Sequence, residues 1–116
     1  ILTIELIAIA GFTFPFMETG HRTSAFLRRI QDQEYQKCVE YYYENEANGV
    51  EPDEELKECY GVAKYYEAAW QRIRYLASGE QVLAKEAEAG MEAAAEEMGE
   101  LQPVRERIDE IFNYYQ

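Results

Sequence analysis

Few side chains in this 116-residue chain are spaced to do chemistry, and the first of them is Glu5. It sits inside the apolar opening "ILTIELIAIAGFTFPF". A carboxylate in such surroundings costs several kcal/mol unless it is paired, protonated or wetted. Three arrangements meet that cost. Glu5 can touch water at a frayed chain end, pair with a basic side chain of the same bundle, or pair with a free α-amine. A chain starting at Ile1 carries such an amine, and four residues along a helix bring Glu5 one turn away from it. The amine of a second copy packed alongside would serve equally well and would set the axial stagger between copies. Ile1 is not a translation start, so the reading expects either a removed upstream segment or a fragment. The opening is not an ordinary signal peptide, because it has no basic leading region and no small-x-small cleavage site after the apolar run.

The segment "ILTIELIAIAG" resembles the mature N-terminus of type IV pilins and pseudopilins, most specifically over Thr3-Ile4-Glu5-Leu6. The resemblance covers about the first fifteen residues. It implies cleavage by a prepilin peptidase just before Ile1, often with methylation of the new amine. It also implies assembly roles: Ile1 supplies the amine, and Glu5 neutralises the amine of the adjacent subunit. Gly11 and Pro15 would mark the place where the apolar helix melts in a filament, since glycine is a poor helix former and proline removes a backbone donor. The sequence departs from the pattern in having Ile at position 1, an early Pro15 and an apolar run that stops at Met17. It departs again in a remainder that reads as helical, where the better-known pilins end in an antiparallel sheet.

Cys38 and Cys59 are the two thiols. They lack CxxC spacing and companion histidines, so a structural zinc site is not expected. They fall on the apolar stripes of consecutive helices, about twelve and nine residues from the turn near residue 50. A small axial stagger would bring them within disulfide range, and closing that loop would contribute about 3 kcal/mol in an oxidising, extracytoplasmic compartment. Two buried free thiols are the alternative. The one histidine, His21, cannot build a di-iron site or a catalytic triad, and no glycine-rich phosphate loop is present. No catalytic residue, metal or cofactor is expected.

The elements that must position these groups are helices. Phe26, Ile30, Tyr35, Cys38, Val39 and Tyr42 form one apolar stripe over 24–47, closed by Asn48-Gly49. A second helix is expected over 53–78, opened by Pro52 and Asp53-Glu54-Glu55 and stopped by Ser78-Gly79. A third, rich in Ala and Glu, covers 80–98. A fourth covers 103–115 and is too short to stand without docking. Within the tyrosine runs, adjacent rings diverge by about 100°, so Tyr42, Tyr66 and Tyr115 are expected in the core, with their neighbours half exposed. Outward rings would suit subunit contacts.

The fold expected is therefore all-α: an apolar N-terminal helix leading into an antiparallel bundle of three or four helices. Two units are expected, an assembly or membrane helix over 1–23 and an acidic helical domain over 24–116. Acidic residues outnumber basic ones 23 to 11, for a net charge of −12. No basic cluster larger than His21-Arg22 to Arg28-Arg29 offsets that charge, which argues against nucleic acid as a partner. About seventeen apolar residues span roughly 25 Å as a helix, the short edge of a membrane crossing. The expectation is a non-enzymatic filament subunit, held in the inner membrane before assembly and displayed at the cell surface afterwards, with copies of itself as partners. The alternative expectation is a small membrane-anchored helical subunit that acts as an interaction module in a larger complex.

Overall fold

The computed structural model describes residues 14–113, with side chains from Arg22 onward. Five α-helices follow in order: α1 (Phe14–Gln31), α2 (Tyr35–Ala47), α3 (Glu54–Ala77), α4 (Gln81–Glu97) and α5 (Gln102–Asn113). A short 3₁₀ turn, Gly99–Leu101, joins α4 to α5. Every element among the described residues is helical, and they pack into one elongated bundle measuring 56 × 24 × 22 Å.

The single helix expected over 24–47 is two helices. The chain turns at Asp32–Glu34, and the turn satisfies the last carbonyls of α1. The Glu34 amide donates to the Arg29 carbonyl and the Gln33 amide to the Ile30 carbonyl. This is a Schellman closure, which requires a left-handed residue at the position just past the helix. Gln33 takes that conformation, at φ 59°. A glutamine there carries none of the signal a glycine would. The same closure ends α2 at Gly49 (φ 68°) and α3 at Gly79 (φ 78°), where the sequence does announce it.

α1 runs unbroken across the division expected between residues 23 and 24. The helices expected over 53–78 and 80–98 lie within one residue of those limits, and α5 begins at Gln102, one residue before its expected start. At the start of α3 the Asp53 carboxylate accepts from the Leu56 amide at 2.8 Å, and Glu54 and Glu55 stand in the positive first turn. Pro15 lies within α1. Ile1, Glu5 and Gly11 lie outside the described residues, as does Tyr115.

α3 is the central element. α1, α2, α4 and α5 all lie against it, and Leu56, Cys59, Tyr60, Val62, Ala63, Tyr65 and Ala69 are buried at successive angles around its axis. α4 makes the closest approach. Gly61 of α3 presses on the α4 backbone, where an added Cβ would stand 2.9 Å from both the Ala94 carbonyl oxygen and the Met98 nitrogen. α1 and α2 form an antiparallel pair, clamped by Arg22 donating to the Asn45 side chain at 2.8 Å and by Phe26 against Tyr41 with ring centroids 5.9 Å apart. α5 folds back along α3 and buries Val104, Ile108 and Phe112.

Candidate functional site

Three regions beyond the N-terminal segment carry chemistry-bearing side chains in proximity. The first is the thiol pair. α2 and α3 bury Cys38 and Cys59 completely. Both are free. Their register explains why the expected bond is not formed. Cys38 lies nine residues before the end of α2, and Cys59 lies five residues after the start of α3. At 1.5 Å per residue that leaves an axial offset of about 6 Å. Facing Cα atoms of packed helices lie about 4–5 Å apart laterally, so the offset takes the pair to about 7–8 Å, beyond the Cα spacing a disulfide accepts. Burial pushes each thiol from its ordinary 9.0 up to about 12, and the neighbouring Cys38 adds to the rise at Cys59. At neutral pH both are protonated, packed as small apolar groups rather than poised as nucleophiles.

The second region is a polar clamp between α3, α4 and α5. The Tyr65 hydroxyl donates to Asp109 at 2.5 Å and accepts from the Arg105 Nε at 3.1 Å. Arg105 also donates to Glu92 on α4 at 2.7 Å and lies over the Tyr65 ring, 5.3 Å from its centroid. Burial, with the hydrogen bond to Asp109, pushes the Tyr65 phenol up to about 12. The expectation that Tyr66 is the core ring of its pair is corrected. Tyr65 is the buried one, because α5 and α4 converge on that side of α3, and Tyr66 is half-buried. Tyr42 is also half-buried, packed edge-on to Tyr60 at 4.9 Å.

The third region is a surface groove of about 400 Å³ between α2 and α3, lined by Gln36, Val39, Tyr66, Glu67, Trp70 and Arg74. Its floor belongs to an aromatic ladder. Tyr35 stacks on Tyr66, Tyr66 on Phe112, and Phe112 meets Trp70 edge-on at 5.1 Å. The Tyr35 hydroxyl is buried without a hydrogen-bond partner among the described residues. Burial raises the pKa of Tyr35 and of Tyr60, the Asn45 side chain opposing the rise at Tyr60.

No group of three or more histidine, cysteine, aspartate or glutamate side chains converges to hold a metal among the described residues. No helix among them is long and apolar enough to cross a membrane. What the described region offers is packing surface: aromatic rings, an acidic exterior and thiols locked in the protonated form. Among the residues singled out from sequence, the fold brings Cys38 and Cys59 into one core. Sequence reasoning missed the Arg105–Tyr65–Asp109 clamp, whose members lie 40 and 44 residues apart along the chain and share no motif. Compared with known proteins, the chain matches no family model, no curated protein and no solved structure.

Proposed function

We propose that this chain is a structural subunit of a type IV pilus-like extracellular filament. It has no catalytic role, and it assembles through its apolar N-terminal segment. The observation that carries the reading is the opening itself: an apolar run holding one carboxylate, Glu5. In this reading its partner is an α-amine freed at Ile1 by processing. A buried carboxylate and a buried amine each carry a large desolvation cost, and they offset it by pairing across neighbouring copies. Apolar helix packing supplies the adhesion, and the Glu5–amine pair supplies the register. Gly11 and Pro15 then mark where the apolar helix melts in the filament, and the segment is held in the inner membrane before assembly.

One feature of the described domain supports this reading: it is an elongated helical body, a shape that stacks.

The test is Glu5→Ala in the native host. The variant is expected to remain folded and membrane-held while surface filaments seen by negative-stain microscopy fall away. Normal filaments from Glu5→Ala, or discrete closed particles from the wild-type chain, would refute the reading. Closed particles would favour a subunit of a membrane-anchored complex.

A further inference from the structure

α5 packs on α3 through one stripe, and the sequence carries that stripe past the last described residue, Asn113. Val104, Ile108 and Phe112 recur at every fourth position, and all three are buried. The chain goes on with Tyr114, Tyr115 and Gln116. A helix turns about 100° per residue, so on a continued α5 Tyr115 falls about 20° from Ile108, while Tyr114 falls about 120° from it. Helical continuation therefore puts Tyr115 on the inward stripe and turns Tyr114 away from α3.

The surface that such a ring meets is on α3, because the two helices run in the same direction. The Tyr65 hydroxyl joins Arg105 and Asp109. Farther along both helices, Tyr66 and Trp70 pack on Phe112, with ring centroids 5.4 and 5.1 Å away. α3 then continues past Trp70 to Ala77, about 10 Å. After Ala69 and Trp70, the next residue on that side of α3 is Ile73. It is half-buried, and beyond it Leu76 and Ala77 are exposed, Leu76 to 43%. Tyr115 stands three residues after Phe112, as Ile73 stands three after Trp70, so one step along α5 matches one step along α3. Trp70 and Phe112 each engage a further group besides these ring contacts.

We infer that Tyr115 is a latch: its ring docks on Ile73 of the same chain, beside Trp70, and holds the end of α5 on α3. Reach selects this occupant. Three residues of helix advance about 4.5 Å, which brings Tyr115 to Ile73 with no loop to close. A ring from a second copy would first lose the translational freedom of a whole molecule. Docking removes apolar surface of α3 from water and extends the ladder of Tyr35, Tyr66, Phe112 and Trp70 by one ring. The inference concerns one chain and stands apart from the filament reading.

Trp70 is the one tryptophan of the chain, so its fluorescence reports this site alone. Acrylamide quenching of the full-length chain in detergent is compared for wild type, Tyr115→Ala, Tyr115→Phe and Tyr114→Ala. Tyr115→Ala is expected to raise the quenching constant roughly twofold and to shift the emission to the red, because an aromatic cover is lost. Tyr115→Phe and Tyr114→Ala are expected to match wild type, and no value should depend on protein concentration. Hydrogen exchange on the wild-type chain needs no variant and decides the matter if Tyr115→Ala does not fold. The Tyr115 and Gln116 amides should exchange roughly tenfold slower than in an unstructured peptide, or slower still. Quenching unchanged by Tyr115→Ala, an equal rise with Tyr114→Ala, or peptide-like exchange at those two amides would overturn the inference. Protection of Trp70 that grows with protein concentration would also overturn it, in favour of a ring from a second copy.

Discussion

Gly61→Ala puts one methyl group where α3 and α4 touch. The new Cβ would lie 2.9 Å from the Ala94 carbonyl oxygen and the Met98 nitrogen, and 3.0 Å from the Glu97 carbonyl carbon. All three are backbone atoms, so no side-chain rotation relieves the clash. Ordinary contact begins near 3.4 Å, and α4 must therefore move away by about 0.5 Å. That opens the packing around Ala94, Ala95 and Met98, all buried. Overpacking of this kind costs about 2–3 kcal/mol. Alanine recovers about 1 kcal/mol of helix propensity over glycine, leaving a net loss of about 1–2 kcal/mol. For a domain of this size the midpoint of thermal unfolding should fall by about 4–12 °C. Gly90→Ala is the control. The nearest atom to its new Cβ is the Ala68 Cβ at 3.8 Å, an ordinary contact, so this variant keeps the propensity gain and should rise by about 4 °C. Circular dichroism melts of the full-length variants in one detergent measure both. If Gly61→Ala melts at or above the wild type, the two helices are not in backbone contact there and the packing account of α3 is wrong.

Two further predictions concern the core and its caps. Asp53→Ala removes the side-chain acceptor of the Leu56 amide and should cost about 1 kcal/mol in urea unfolding, with Asp53→Asn recovering most of it. Cys38 and Cys59 should resist a thiol-specific disulfide reagent at neutral pH and react only as fast as the chain opens. Their folded pKa of about 12 stands above the ordinary 9.0, so the folded state binds more protons in that interval. Stability from these thiols is complete below pH 9.0, declines above it and is lost as pH rises through about 12. Replacing both by Ser or Ala should flatten that alkaline decline in a pH series of melts.

Most helix limits were legible because the chain spells them chemically. Asn48-Gly49 and Ser78-Gly79 supply left-handed stops, and Asp53 with Glu54 and Glu55 supplies a start. The break at 32–34 was not, because Gln33 takes the left-handed position that glycine usually signals. Which side of α3 is buried was not legible from one stripe, since that helix is packed on several sides and Val62, Tyr65 and Ala69 are buried as well as Leu56 and Ala63. The reason for Gly61 appears only with α4 in place. Val82, the second residue of α4, is exposed.

The central claim is the pairing of Glu5 with the amine of a neighbouring chain, and a cryo-electron microscopy map of the native assembly tests it most directly. The account predicts helical stacking of many copies, with each Glu5 carboxylate within about 4 Å of the Ile1 nitrogen of an adjacent copy. A map in which Glu5 faces solvent, or in which the first residues of neighbouring copies do not touch, would contradict it.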